Sequence, residues 1–328
     1  MSSVLPNFFL VGAPKAGTTS LYHYLRQHPQ IYMSPVKEPN YFASEIRIEN
    51  VCGHMRDRAA RDAAALQEYL RGPMSEPRFG GMVSSWDDYL KLFQSAGAAR
   101  AVGEASVCYL WSPTAAANIF AKVPDARILA VLRNPADQAF SQYWHTVNAG
   151  AARTSFRRAV EISLRHAGRM FDVFYPFLEL GLYYEQVRRY FDVFGRNRVR
   201  IYLFEDEYRA RPQQMLAEIF DFLGVDPGFS PDMSQRYLES QAPRSLAVNG
   251  LLKRHGVWGR LQPLCPPSLR QPLKALLFKR RGPAAISAED RAFLIDYYRE
   301  DIWRLADLLQ RDLSVWCKME LAPFRLRY

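Results

Sequence analysis

The fold is decided by the stretch FFLVGAPKAGTTSL, residues 8–21. An apolar run over residues 8–11 ends in a short turn that contains Gly12 and Gly17, and hydroxyl side chains follow at once. This order predicts a buried strand, a turn that cradles a phosphate, and the N-terminus of a helix. Backbone N–H groups at the start of a helix point outward and favour an anion there. We therefore expect an anion-binding site at the end of this strand.

The turn departs from the nucleoside triphosphate pattern G-x-x-x-x-G-K-[ST] in the position of its lysine. Gly12, Gly17 and Thr19 fit that pattern, but Thr18 stands where lysine is required, and the lysine is Lys15. In the triphosphate pattern the lysine reaches the β- and γ-phosphates, and the next hydroxyl binds Mg²⁺. Here the cation lies inside the turn, beside the first phosphate. The turn therefore suits a nucleotide with a single 5′-phosphate that is bonded directly to the transferred group.

A second candidate site follows the apolar run over residues 127–132, which predicts a central parallel strand that ends at Arg133. Ligands of open α/β sheets bind beyond the carboxyl ends of the strands. Asn134-Pro135 opens the next predicted helix, and Ser141 lies about two turns into it. A guanidinium and a hydroxyl that face one crevice suit a second phosphate.

Both motifs resemble those of the sulfotransferases that use 3′-phosphoadenosine 5′-phosphosulfate (PAPS). The segment PKAGTTSL, residues 14–21, resembles the 5′-phosphosulfate loop of that family, and RNPADQAFS, residues 133–141, resembles its 3′-phosphate motif. The resemblance extends from Phe8 to about Trp316. It implies that PAPS is the sulfuryl donor, that 3′,5′-adenosine bisphosphate is a product, and that no metal is required. The donor site that it implies consists of Lys15, Ala16, Gly17, Thr18, Thr19, Ser20, Arg133 and Ser141, with Arg244 in a loop that closes over the nucleotide.

Two residues are candidates for the catalytic base, which must take the proton of the acceptor hydroxyl as that hydroxyl attacks sulfur. Glu38 lies in KEPNYF, residues 37–42, which resembles the K-E-x-x-[FY]-F segment of heparan-type and many bacterial sulfotransferases. In those proteins the glutamate is taken as the base. His145 lies on the predicted helix that carries Ser141 and is the alternative base. We favour Glu38.

Further residues are expected to act on the sulfuryl group and the acceptor. Lys15 should stabilise the charge that builds on the bridging oxygen and the sulfuryl group, and Lys37 is a second cation there. The segment GEAS, residues 103–106, resembles the G-E-K-[ST]-P segment of the family and makes Ser106 a candidate acceptor contact. Ala105 replaces the lysine that contacts the acceptor in glycan-sulfating members. This replacement counts against an acidic polysaccharide, and the acceptor class stays open between a carbohydrate and a small hydroxylated metabolite.

Strands that alternate with helices predict an α/β fold of the P-loop-like, three-layer type, with a central parallel sheet flanked by helices. We expect residues 1–328 to form a single domain. Residues 44–100 read as a variable insertion near the substrate, with helices around 57–70 and 86–95, and residues 225–285 as a proline-rich segment of loops and helix. A long amphipathic helix is predicted over 288–313.

The composition narrows the classes of ligand. The chain carries a formal net charge of +10 and is 48% apolar, so a disordered or fibrous protein is excluded. Excess Lys and Arg suggests an anionic ligand such as a nucleotide, an acidic glycan, a nucleic acid or a membrane surface. Because the basic residues are scattered and no nucleic-acid-binding signature accompanies them, we expect no nucleic acid partner.

The cysteines and the lack of a long apolar run bear on the location. The four cysteines are far apart without metal-ligand spacing, which is typical of free thiols in a reducing compartment. No run approaches the roughly 18 apolar residues of a membrane span, and no basic segment typical of a signal peptide is present. We therefore expect a cytoplasmic protein without a transmembrane segment. The apolar run 273–278 has basic neighbours and predicts either a surface helix or a weak contact with a membrane surface.

Two other functions compete with sulfuryl transfer. A P-loop kinase is disfavoured because Thr18 occupies the lysine position and because no obvious aspartate that would bind Mg²⁺ ends the second strand. A non-catalytic module that binds polyanions would also use the basic charge. That module predicts that Glu38→Gln leaves all measurable behaviour intact.

Overall fold

A computed structural model describes residues 4–51, 55–150, 152, 154–165, 177–234, 245 and 285–318. These residues form two compact units. The first unit holds the described residues of Met1–Arg133 and Glu185–Glu239. The second holds those of Asn134–Ala167, Phe177–Tyr184 and Ser240–Tyr328. The expectation of a single domain over residues 1–328 stays a prediction.

A parallel sheet forms the core of the first unit. Its strands are β1 (Phe8–Gly12), β2 (Ile31–Met33), β5 (Ala101–Ala105), β6 (Arg127–Leu132) and β7 (Val199–Leu203), in the order β2-β5-β1-β6-β7. Two short strands, β3 (Val36–Lys37) and β4 (Arg78–Phe79), form a separate parallel pair. The central strand β1 is buried along its whole length, as its apolar sequence predicts. The strands on one side of β1, which are β2 and β5, precede in the chain those on the other side, which are β6 and β7. A ligand is therefore expected in the crevice beyond the carboxyl end of β1.

The helices of the first unit connect these strands. They are α1 (Thr18–Gln27), α2 (Met55–Arg71), α3 (Trp86–Lys91), α4 (Cys108–Trp111), α5 (Ala115–Lys122), α8 (Tyr183–Phe194, apart from its first two residues) and α9 (Pro212–Leu223). A π-helix, Phe204–Arg209, follows β7 directly. The sequence sets two of the ends: α1 stops at His28, which is extended because a proline follows, and α9 stops at Gly224, which is left-handed with φ 74°.

The second unit is helical, with α6 (Pro135–Asn148), α7 (Phe156–Arg165) and α10 (Ala288–Leu309). The side chain of Asn134 caps α6 by accepting hydrogen bonds from the backbone N–H groups of its first turn. An ion pair between the buried Arg291 of α10 and Asp137 of α6 joins these two helices. The Tyr298 hydroxyl of α10 donates to the Leu178 carbonyl at 2.8 Å. Helix α10 ends four residues earlier than the sequence predicts, because Gln310 is left-handed and closes it.

The predicted fold class is confirmed: a central five-stranded parallel sheet is flanked by helices. Residues 44–100 contain the two predicted helices and also β4, which the sequence did not predict. Most of the proline-rich segment 225–285, including the apolar run 273–278, lies outside the described residues. Within the part of the chain that the structure describes, no helix combines the length and the apolar character that a membrane crossing requires.

Gly103 tests how tightly the sheet is packed. In β5 it is paired with Phe8 of β1, and a Cβ atom at Gly103 would lie 2.3 Å from Cζ of the fully buried Phe8 ring. Gly103→Ala should therefore lower the free energy of unfolding by about 1–3 kcal/mol. Gly72→Ala is the control, because its Cβ would meet the carbonyl oxygens of Tyr69 and Glu68 at an ordinary van der Waals distance of 3.5 and 4.0 Å, and a change within about 0.5 kcal/mol is expected. Denaturant unfolding measures both. Equal changes would mean that the Phe8 ring moves aside freely.

Candidate active site

The turn after β1 is built to face an anion. Ala13 N–H donates to the Val131 carbonyl of β6 at 2.7 Å, which ties the turn to the neighbouring strand. Lys15 and Gly17 have left-handed backbones, with φ of 63° and 80°. Helix α1 begins at Thr18 with no side-chain cap and no acidic residue in its first turn. The N–H groups of that turn are therefore left for a ligand, and the helix dipole favours a negative one.

Four charged side chains of the first unit gather at this turn. Burial, together with the nearby Arg133 and Lys37, lowers the pKa of Lys15 to about 8, and the Glu38 carboxylate opposes this shift. Arg133 Nη1 also donates to the Lys15 carbonyl at 2.9 Å. The structure thus brings the lysine of the first motif into direct contact with the arginine of the second. Three cations and one carboxylate carry an excess of positive charge that an anion would offset.

The π-helix after β7 contacts both motifs, through Tyr208 at Gly17 and through Phe204 at Arg133. The Tyr208 ring packs so closely on Gly17 that a Cβ atom there would lie 2.6 Å from the ring. Tyr208 stacks on Phe204, with ring centroids 5.1 Å apart, and the guanidinium of Arg133 lies over the Phe204 ring at 5.0 Å. Sequence reasoning missed both aromatic residues. Their only signal in the sequence was the spacing of two aromatic residues by four positions.

Lys37 and Glu38 form an ion pair beside the turn. Lys37 Nζ lies 2.9 Å from Glu38 Oε1, and the lysine side chain is 1% exposed whereas the glutamate side chain is 25% exposed. The backbone of Glu38 is left-handed, with φ 70°, and so is that of Asn40, with φ 58°. A non-glycine residue adopts this conformation only where its surroundings hold it. The pair therefore presents a partly accessible carboxylate from a constrained segment.

Glu104 of β5 is a buried carboxyl that the sequence did not mark as a site residue. Three hydroxyl groups donate to it: Tyr89 and Tyr109 to Oε1 at 2.8 and 2.9 Å, and Ser106 to Oε2 at 2.8 Å. Burial raises the pKa of Glu104 to about 7, although the three hydroxyl groups act in the opposite direction. Ser106, a candidate acceptor contact, is itself fully buried, and its hydroxyl is engaged on both sides. Its contact with an acceptor stays a prediction.

The remaining predicted site residues are divided between the two units and the part of the chain outside the described residues. Ser141 and the exposed His145 lie on α6 in the second unit, and Arg244 lies outside the described residues. Their roles stay predictions. Ala16, Thr18, Thr19 and Ser20 lie in the turn and the first turn of α1. In the described part of the chain, no three His, Cys, Asp or Glu side chains are arranged to hold a metal ion.

Comparison with known proteins identifies relatives of this chain over the residues that form the turn and the sheet. The sequence model of a family described as "Sulfotransferase family" matches residues 6–231. The crystal structure of a sulfotransferase from Alicyclobacillus acidocaldarius is similar with a TM-score of 0.67 and 32% identity, covering 96% of this chain and 100% of that chain.

Two curated human proteins are more distant relatives. Carbohydrate sulfotransferase 15 is 25% identical over 258 residues, which cover 68% of this chain and 44% of that protein. Bifunctional heparan sulfate N-deacetylase/N-sulfotransferase 3 is 25% identical over 331 residues, which cover 98% of this chain and 32% of that protein. The chain therefore spans less than half the length of either curated relative.

The raised pKa of Glu104 makes stability depend on pH. Because the folded protein holds this proton up to about pH 7 and the unfolded chain loses it near 4.5, the folded state binds more protons between these values. The contribution is fully present below pH 4.5 and is lost as the pH rises to 7, by about 3 kcal/mol. Glu104→Gln should flatten this slope in denaturant titrations, whereas Gln at the exposed Glu68 should keep it. An unchanged slope in Glu104→Gln would show that Glu104 does not titrate in this range.

Proposed function

The chain belongs to the sulfotransferase family, and we propose that it transfers the sulfuryl group of PAPS to an acceptor hydroxyl. The observation that carries this proposal is the contact between the Lys15 turn and Arg133, at 2.9 Å. A nucleotide with phosphates at its 5′ and 3′ positions needs two cationic groups close together, whereas a triphosphate needs its cation and Mg²⁺ along one chain of phosphates.

The residues of the first unit fit such a nucleotide. The depressed pKa of Lys15 reflects burial together with two neighbouring cations, and an anion would relieve both effects. The uncapped N-terminus of α1 supplies N–H groups from Thr18, Thr19 and Ser20. In the proposal, Lys15 and these N–H groups hold the 5′-phosphosulfate, and Arg133 holds the 3′-phosphate. Ser141 and Arg244 remain proposed partners of the 3′-phosphate and the adenosine.

The bound donor supplies an activated sulfuryl group, and the protein supplies a base and positive charge. Glu38 is the proposed base because its partly exposed carboxylate lies at the cationic turn. Lys37 engages Oε1 of that carboxylate, and the second oxygen is the one that takes the proton of the acceptor hydroxyl. Lys15 stabilises the charge that develops on the bridging oxygen as the bond to sulfur breaks. His145 is the alternative base.

The acceptor is proposed to be the hydroxyl of a carbohydrate. The name of the human carbohydrate sulfotransferase supports this class over a small metabolite. Ala105, which is fully buried in β5, stands where glycan-sulfating members are expected to have a lysine, so an acidic polysaccharide is disfavoured. We further propose that no metal takes part in the reaction. We also propose that the protein is cytoplasmic, and the free thiols of Cys108 and Cys317 support that location.

Calorimetry tests the donor site. The protein should bind 3′,5′-adenosine bisphosphate far more tightly than ATP, and equal affinities would remove the proposal in favour of a kinase or a polyanion-binding module.

Arg133→Ala should weaken the binding of 3′,5′-adenosine bisphosphate by about 10- to 100-fold, since it removes a charged hydrogen-bond donor. It should hardly change the affinity for 5′-AMP. Arg127→Ala, at the opposite end of the same strand, is the matched control and should alter neither affinity. Equal losses of bisphosphate and 5′-AMP on Arg133→Ala would contradict the 3′-phosphate role.

Isosteric replacement tests the base. Glu38→Gln keeps the shape of the side chain but cannot take a proton, so turnover with labelled PAPS and a panel of glycans and phenols should fall by about 10²- to 10⁴-fold. The dissociation constant of 3′,5′-adenosine bisphosphate should stay the same. His145→Gln is measured beside it. Loss of turnover in His145→Gln with retained turnover in Glu38→Gln would move the role of base to His145.

A further inference from the structure

The segment that presents Glu38 has a backbone that it does not adopt by itself. Glu38 and Asn40 are both left-handed, and glutamate in particular disfavours that region. Glu38 N–H donates to the Ala105 carbonyl of β5 at 2.8 Å, and the Asn40 side chain donates to the carbonyls of Glu38 and Gly81 at 3.0 and 2.8 Å. These bonds fix one side of the segment. Two further backbone N–H groups of the segment, those of Asn40 and Phe42, bond to side chains instead.

Both of those N–H groups donate hydrogen bonds to hydroxyl oxygens. Asn40 N–H donates to Ser106 Oγ at 3.1 Å, and Phe42 N–H donates to the Tyr109 hydroxyl at 3.2 Å. A hydroxyl rotates, and its lone pairs face the incoming N–H only when its own proton is directed elsewhere. Each of these hydroxyl groups therefore needs a fixed acceptor of its own.

Glu104 is that acceptor for both. Its Oε2 accepts the proton of Ser106 at 2.8 Å, and its Oε1 accepts that of Tyr109 at 2.9 Å. The carboxyl is fully buried on β5, a strand that pairs with β1 and β2 on its two sides. It is therefore held by the sheet itself. Chains of hydrogen bonds that end on a charged acceptor polarise one another and are stronger than isolated bonds.

We propose that Glu104 is a positioning residue of the transfer reaction, which fixes the segment of Glu38 to the central sheet through the hydroxyl groups of Ser106 and Tyr109. The inference rests on the proposed function, because it takes Glu38 as the base. Glu104 itself does not touch the reacting atoms in this scheme. Its effect is exerted on where the Glu38 carboxylate lies when the acceptor hydroxyl attacks.

The charge state of Glu104 follows from the groups around it. The titratable side chains that face it are Tyr89, Tyr109, Tyr190 and Cys108, and burial raises the pKa of each well above its usual range. All four are thus neutral where Glu104 titrates. The ionised carboxylate accepts from all three hydroxyl groups more strongly than the protonated acid does, because the acid has one lone pair fewer and a proton of its own to place. The positioning therefore weakens as the pH falls below about 7.

Removing single hydroxyl groups tests the proposal with less risk to folding than removing Glu104. Ser106→Ala and Tyr109→Phe should each lower kcat by about 10- to 100-fold, because a small misplacement of a catalytic group is enough for such a loss. The dissociation constant of 3′,5′-adenosine bisphosphate should stay within about twofold. Ser106→Thr keeps the hydroxyl and should restore most of the rate. Tyr89→Phe is the matched control, since it removes a donor to the same carboxylate and leaves both bridges to the segment.

A readout that needs no turnover separates this inference from the proposed function. Hydrogen exchange of the Asn40 amide should accelerate in Ser106→Ala, and that of the Phe42 amide in Tyr109→Phe. In Glu104→Gln the exchange of both amides should accelerate. A wild-type protein that transfers no sulfuryl group would overturn the proposed function, while the exchange rates would still report whether Glu104 holds the segment. An active wild type with full kcat in Ser106→Ala and Tyr109→Phe, or a loss as large in Tyr89→Phe, would overturn the positioning role.

Discussion

The repulsion among the three cations at the end of β1 is the constraint on which the site depends. Lys37 and Arg133 lie close enough to Lys15 to depress its pKa, and the carboxylate of Glu38 opposes them. A fold keeps such a group only where other interactions outweigh the cost. Here the parallel sheet fixes the strand ends, and the Lys37–Glu38 pair and the stacking of Arg133 on Phe204 absorb part of the charge. What remains is an electrostatic demand for an anion at the carboxyl edge of the sheet.

The local features of this arrangement were predictable from the sequence. The apolar run, the glycines and the proline after His28 gave the bounds of β1 and α1, because each of these signals acts on the backbone within a few residues. The same holds for α9, which begins at a proline and ends before a glycine. The start of the long helix α10 was predicted correctly, but its predicted C-terminus lies four residues too late, since the left-handed residue that ends the helix is Gln310 and not a glycine.

The parts that the sequence could not reveal are those made by contacts between distant segments. The strand pair β3·β4 and the bonds that hold the left-handed segment of Glu38, such as the one from Asn40 N–H to Ser106, join residues far apart in the chain. Glu104 also lies in an apolar-looking strand, where a single acidic residue gives no hint of three hydroxyl partners. Ala105 shows the opposite case: its place in a motif was readable, and the structure adds that its side chain lies in the core.

The packing of Tyr208 on Gly17 has a consequence for how the protein becomes functional. The two residues come from opposite ends of the first unit, and the ring leaves no room for any side chain at the turn. The ligand-binding turn is therefore fully enclosed only after the strand β7 and its π-helix have been synthesised and have docked. Contacts of such long sequence separation form slowly because a large loop must close first. A nascent chain that lacks this segment has the phosphate-loop sequence but not the enclosure around it.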